Sequence, residues 1–176
     1  MTHRDYFLNA FQQWLLGKRN RGELPVTGAV LLDVGCRDTA LKHPLEDMGF
    51  HWYGVDKEIG DTDETLRAKM EDLSFINDDA YDIVICCHSF EHCERPIDAL
   101  REFKRVLKPG GWVFIGGPYP CHKQITAGDA DHIFVLNETQ LHKLLTYTGF
   151  ENVLTWNHPE SEEQNNTICG AGRKPA

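Results

Sequence analysis

A glycine turn and a carboxylate set the first chemical expectation. The apolar run from Ala29 ends in Asp33-Val34-Gly35-Cys36-Arg37-Asp38-Thr39, and a second run, His51 to Val55, ends in Asp56, 21 residues past Gly35. A glycine directly after a buried strand lets a ligand approach the backbone, and the amides of such a turn face a carboxylate or phosphate. A carboxylate at the end of the next strand can accept hydrogen bonds from both hydroxyls of a ribose. Many strand-to-helix turns contain glycine and strand ends carry acids by chance, so only the pairing of Gly35 with Asp56 points to a nucleoside cofactor.

Histidines and thiols supply the remaining reactive groups. His88, His92 and His132 are candidate catalytic side chains, because an imidazole titrating near neutrality suits an oxygen or nitrogen acceptor that must lose a proton. Cys86, Cys87, His88, His92, Cys93, Cys121 and His122 all carry ligand atoms. No Cys-x-x-Cys pair occurs, however, and strand alternation separates Cys86 from Cys87, so no metal site is expected. The same alternation is poor disulfide geometry and implies reduced thiols in a reducing compartment. Tyr6, Trp14 and Tyr119 offer aromatic faces that could cover a ligand, with plain helix packing the alternative for Trp14.

The elements that must position these groups are readable from periodicity. Phe7, Leu8, Phe11, Trp14 and Leu15 recur at helical spacing between Thr2 and about Arg21. Strands are expected at 29–34, 51–55, 69–71, 81–87, 111–115, 150–156 and 167–170, the first continuous in apolar residues as buried parallel strands are. Helices are expected over 39–48, over 96–107 after a proline in the first turn, and over 137–148, where Asn137 and Gln140 make a capping box. Lys108-Pro109-Gly110-Gly111 stops the second of these. The stretch Gly116 to Leu136 is long for a loop of a compact domain and therefore reads as functional. Alternating strands and helices closed by a hairpin predict a Rossmann-like α/β fold: a mainly parallel seven-stranded sheet, helices on both faces and a C-terminal antiparallel hairpin. Residues 1–28 form a helix and linker packed on a domain of residues 29–176. In such sheets ligands bind at the carboxyl ends of the strands, which sets Gly35, Asp56, Cys87 and Gly116 along one rim.

Three segments carry a family resemblance: Leu73-Ser74-Phe75, Tyr81-Asp-Ile-Val-Ile-Cys-Cys-His-Ser-Phe-Glu-His92, and Arg105-Val-Leu-Lys-Pro-Gly-Gly-Trp-Val-Phe-Ile115. With the Asp131-His132 segment and the Gly149-Phe150 junction they resemble the class I S-adenosylmethionine-dependent methyltransferases, specifically the small ubiquinone-biosynthesis-like group. The resemblance implies that Asp33, Gly35 and Cys36 hold the methionyl end of the cofactor and Asp56 its ribose. It sets Lys57 on the adenine face, the Met70 amide at the adenine edge with Glu71 beside it, the Cys87 carbonyl against the methionyl ammonium, and His88 near the transferred methyl. For His92 it implies a second role, since the Glu-His pair commonly anchors the loop after the fourth strand. The pattern departs from the family at two places. Arg37 and Thr39 replace the second and third glycines of the first turn; Arg37 either pairs with the methionyl carboxylate, crowds the pocket, or faces solvent. Lys69 stands where relatives often carry an acid, and a lysine cannot accept from the adenine amino group, so adenine recognition is either weaker here or shifted to Glu71 or Asp72.

Bulk properties narrow the acceptor. The 176 residues carry 27 acids against 18 lysines and arginines, a formal charge of −9, which argues against a nucleic-acid substrate despite the basic helix end at Lys18, Arg19 and Arg21. No apolar run approaches the roughly 18 residues of a membrane span. The expectation is a cytoplasmic S-adenosylmethionine-dependent enzyme methylating a small molecule at oxygen or nitrogen. The rivals are a catalytically silent cofactor-binding or scaffolding module, favoured by Arg37, Thr39 and Lys69, and a nicotinamide-dependent oxidoreductase.

Overall fold

A computed structural model of the chain describes residues 2–118, 131–159 and 166–176. Seven strands, β1 (Ala29–Val34), β2 (Phe50–Asp56), β3 (Thr65–Arg67), β4 (Tyr81–Cys87), β5 (Leu107–Pro118), β6 (Glu151–Pro159) and β7 (Asn166–Arg173), join in the order β3-β2-β1-β4-β5-β7-β6. The first five pair in parallel, and β7 lies antiparallel to both β5 and β6. Among the described residues the helices are α1 (His3–Asn20), α2 (Lys42–Asp47), α3 (Pro96–Val106) and α4 (Glu138–Tyr147), with one 3-10 turn at Phe90–His92.

Alternation along the strands decides how the sheet is covered. Leu31, Ile83, Ile85, Trp112 and Phe114 pack on one face with Phe7, Phe11 and Trp14 of α1 and Leu45 of α2. Leu32, Val84, Cys86, Val113 and Ile115 pack on the other with Leu100 and Phe103 of α3 and Leu141 and Leu145 of α4. Both faces are therefore shielded, as a parallel sheet requires. Helix α1 is nucleated by a capping box between Thr2 and Asp5. Near its end Lys18 is buried, its ammonium 3.5 Å from the Trp112 ring centroid and 3.0 Å from Glu23 Oε2. Asn137 and Gln140 make the expected capping box at the start of α4.

Three expectations need correction. The third strand is at Thr65–Arg67, not 69–71. Thr65 is buried, with its hydroxyl donating to the Gly60 carbonyl, whereas Met70 and Glu71 lie in a turn and the Glu71 carboxylate accepts from the amides of Glu94 and Arg95. The helix expected from Thr39 begins only at Lys42, since Thr39 has a left-handed φ of 57° that cannot continue a right-handed helix. Strand β5 begins directly at Leu107, so Lys108-Pro109-Gly110-Gly111 belongs to the strand, with a register shift between Tyr81 and Ile83 on its neighbour. Of the long stretch after β5, residues 119–130 lie outside the described residues, and Tyr119, Cys121 and His122 lie with them.

Candidate active site

The strand order reverses between β1 and β4, and a crevice opens there above the carboxyl ends of the strands. Register sets Val34 level with Val55, and Cys87 level with Gly116, so the expected rim is continuous. The turn after β1 is pinned to β2: the N–H groups of Gly35 and Cys36 both donate to the Val55 carbonyl, at 2.7 and 3.2 Å. Gly35 has φ 79°, and a Cβ on it would lie 2.3 Å from both the Cβ and Oγ of Ser89. The Ser89 hydroxyl faces two carbonyl acceptors, Gly35 O at 3.0 Å and Cys87 O at 3.1 Å. The turns after β1 and β4 thus interlock.

Past Gly35 the chain keeps a glycine-like path without glycine. Arg37 and Thr39 have φ 46° and 57°, in the left-handed region. That path aims the Arg37 N–H at Asp56, whose Oδ2 accepts it at 2.9 Å while Oδ1 accepts the Glu58 N–H at 2.8 Å. Two backbone donors fix the carboxylate plane, and each oxygen retains a lone pair for a ligand hydroxyl.

A cleft of about 490 Å³ lies over these turns, lined by Gly35, Arg37, Asp56, Lys57, Met70, Glu71, His88 and His92, with Lys69, Ser89, Glu94 and Asp131 among the others. That volume falls in the range of small-molecule and cofactor sites. Asp33 and Cys36, expected to hold a ligand, are buried and are not among the residues that line it. Asp33 is buried with Oδ2 3.2 Å from the Trp52 indole nitrogen, while Oδ1 has no hydrogen-bond partner among the described residues. Burial pushes its carboxyl up to about 7, against the opposing Trp52 hydrogen bond and the Arg4 charge. The Cys36 thiol, buried against Gly54, is pushed up to about 12 by the same loss of water. The Cys87 carbonyl, expected to face a ligand ammonium, accepts from Ser89.

Met70 and Glu71, the residues expected at the adenine edge, both line the cleft. Glu71 Oε1 accepts from the N–H groups of Glu94 and Arg95 at 2.9 and 3.3 Å and faces the Cys93 thiol at 3.2 Å, which ties the loop before α3 to the cleft floor. Asp72 accepts from the Ser74 N–H. Lys69 pairs with Glu94, Nζ to Oε1 3.1 Å, and so brings to the lip a carboxylate from a different loop. Arg37 is exposed and makes no ion pair among the described residues, whereas its neighbour Asp38 pairs with Arg4 at 2.8 Å.

The histidines form a chain along the far wall. His88, with φ 47°, has Nε2 3.2 Å from the Thr167 hydroxyl, Nδ1 3.9 Å from Glu91 Oε1, and its ring 5.1 Å from that of His3 in α1. Burial, with the neighbouring His3 and His132, pulls its pKa down to about 3. The ring is therefore neutral at pH 7 and a weak base, and the expectation of a group titrating near neutrality does not apply to it. His92 and His132 stack edge to face at 4.9 Å. Sequence reasoning missed Ser89, His3, Thr167 and Glu94, since each acts through a partner distant in sequence.

The sequence pattern of the family described as "Methyltransferase domain" matches residues 3–155. The chain belongs to that family. A ubiquinone biosynthesis O-methyltransferase of Aliivibrio fischeri strain MJ11 is 26% identical over 151 residues, covering 70% of this chain and 64% of that protein. The counterpart from Paraburkholderia xenovorans is 29% identical over 102 residues, covering 51% and 44%. This methyltransferase-family chain thus spans about half to two thirds of the length of these curated relatives. A SAM-dependent methyltransferase from Archaeoglobus fulgidus shares the fold, with TM-score 0.72, 19% identity and coverage of 91% and 93%. Among the described residues no helix is long and apolar enough to cross a membrane.

Proposed function

We propose that this chain binds S-adenosylmethionine in the cleft above β1, β2 and β4 and methylates a small molecule at oxygen or nitrogen. The observation that carries the reading is Asp56, its two oxygens oriented by the Arg37 and Glu58 amides at the lip of the crevice. A ribose diol fits the lone pairs left over, Lys57 lies alongside for the nucleobase, and Arg37 is available for a carboxylate. The group supplies, when bound, a methyl activated by a sulfonium. The chain's own part is alignment: Gly35 and Ser89 keep the turn close and rigid, and the neutral His88 ring hydrogen-bonds an acceptor without carrying charge into a buried wall. A solved relative by fold, the 1,6-didemethyltoxoflavin-N1-methyltransferase of Burkholderia thailandensis, has S-adenosylhomocysteine bound, at TM-score 0.70 and 16% identity, which is consistent with this reading.

Thermal unfolding with added ligands tests it. S-adenosylhomocysteine at about 100 times its Kd stabilises the folded chain by about 2.7 kcal/mol through mass action, and NAD does not. Asp56→Ala stays folded yet binds about tenfold or more weakly, because ribose hydroxyls lose their acceptor. Stabilisation by NAD alone would overturn the reading. Binding of S-adenosylhomocysteine without turnover on any small acceptor would favour the silent module.

A further inference from the structure

We propose that Glu91, His92 and His132 form a binding site for a divalent first-row metal ion at the wall of the cleft beyond His88. One ligand atom from each residue lies within 4.8 Å of the others. Reading the sequence for cysteine pairs gave no reason to expect a metal, because these ligands come from two segments about forty residues apart and contain no thiol.

Main-chain bonds build the juxtaposition. The 3-10 turn Phe90–His92 follows β4, and the segment after residue 130 is strapped across it. The N–H groups of Ile133 and Phe134 both donate to the Glu91 carbonyl, at 2.9 and 3.4 Å. The carbonyl of Asp131 lies 2.8 Å from His92 Nδ1. A carbonyl can only accept, so that nitrogen carries a proton, and in the neutral ring Nε2 is left with the lone pair. This is the backing that metal-ligating imidazoles ordinarily have. Glu91 supplies a buried carboxylate, 4% exposed, whose Oε1 lies 3.8 Å from His132 Nε2 and 3.9 Å from His88 Nδ1.

The 3.8 Å between Glu91 and His132 exceeds a hydrogen bond, and the three ligand atoms all lie within 4.8 Å of one another. Two ligands of one tetrahedral ion at the usual bond lengths of about 2.0–2.2 Å sit roughly 3.4 Å apart, so rotation of the two partly exposed rings toward Glu91 closes the site. Two imidazoles and one carboxylate suit Zn²⁺, Co²⁺, Fe²⁺ or Mn²⁺ and not Ca²⁺ or Mg²⁺, which prefer oxygen. Three protein ligands leave a position open, and His92 and Asp131 line the cleft, so the open position is within reach of a bound molecule. If the methyltransferase reading holds, an acceptor oxygen takes that position and becomes more acidic there.

The test is a titration with Co²⁺ alone, on protein cleared of metal with a chelator and then freed of it under a non-thiol reductant. The expected result is one ion per chain, visible ligand-field bands without a thiolate charge-transfer band, and displacement by Zn²⁺. His92→Ala and His132→Ala, both at partly exposed positions, lose affinity by about 100-fold or more while circular dichroism is unchanged. His51→Ala, an exposed histidine of β2, keeps the parent affinity. Three results would overturn the site: no binding, binding unchanged in His132→Ala, or a thiolate band pointing to the cysteines. S-adenosylhomocysteine titrated into the same samples reads the cofactor proposal separately. Its failure with Co²⁺ still bound removes the cofactor and leaves the metal.

Discussion

Arg37 joins two properties that are usually separate. Its amide orients Asp56 whatever its side chain does, and its left-handed φ costs a non-glycine residue roughly 1–2 kcal/mol. The guanidinium, exposed at the cleft, is the group expected to meet a methionyl carboxylate, a charge-assisted contact worth about 1.5–3 kcal/mol. Arg37→Ala should weaken S-adenosylhomocysteine about tenfold or more and leave 5′-methylthioadenosine, which lacks the amino-acid end, nearly unchanged. Arg37→Gly should lose the same affinity yet be more stable than Arg37→Ala by about 1 kcal/mol, because glycine accepts the conformation. Calorimetry for the two ligands and urea unfolding for the two variants read the effects apart. Equal losses for both ligands would show that the side chain does not meet the carboxylate.

At the scale of elements, the interlock of the β1 and β4 turns has a direct test. Gly35→Ala inserts a Cβ 2.3 Å from Ser89 at a positive φ, so it should cost roughly 1–3 kcal/mol for the overlap and also loosen the cleft. Ser89→Ala in the same chain should not rescue it, since the serine Cβ is itself in contact. Ser89→Gly should recover the overlap and leave the backbone strain. Rescue by alanine in urea unfolding would show that the hydroxyl alone sets the clearance. What the sequence disclosed at this scale follows from burial. Strands β1, β2 and β4 were legible because apolar runs with glycine or acid at their ends have few other readings. Strand β3 was not, because three residues carry too little pattern and Thr65 is held by bonds to Gly60 and Thr62 that no periodicity reveals. Gly35, Asp56 and the histidines were visible as residue types in place. Ser89 and the main-chain carbonyls of Glu91 and Asp131 were not, since their roles arise from chain segments that meet only after folding.

Over the whole molecule, Asp33 couples stability to pH. Its folded pKa is raised to about 7, chiefly by burial, with Asp56 and Asp38 adding and Trp52 and Arg4 opposing. Between about pH 4 and 7 the unfolded chain has released a proton that the folded chain retains, so this group lowers stability as pH rises through that window and adds no slope above it. Asp33→Asn keeps an acceptor for Trp52 and removes the ionisation. Measured by urea unfolding, the difference between variant and parent should move in the variant's favour from pH 4 to 7, by on the order of 2–4 kcal/mol, and then level off. Parallel curves would show that Asp33 does not titrate in that range. The strand order has a consequence for assembly. β7 sits between β5 and β6, so β5 pairs with nothing on that side until a segment some fifty residues further along the chain arrives. Until then β5 is a twelve-residue edge carrying Trp112, Val113, Phe114 and Ile115, the kind of unpaired apolar strand that recruits other chains. Among the described residues β6 pairs in the sheet with β7 alone, and it cannot join before β7 does. Docking of β7 is then a late, long-range step of folding, and mutations that delay it should raise aggregation during refolding before they lower the stability of the finished fold.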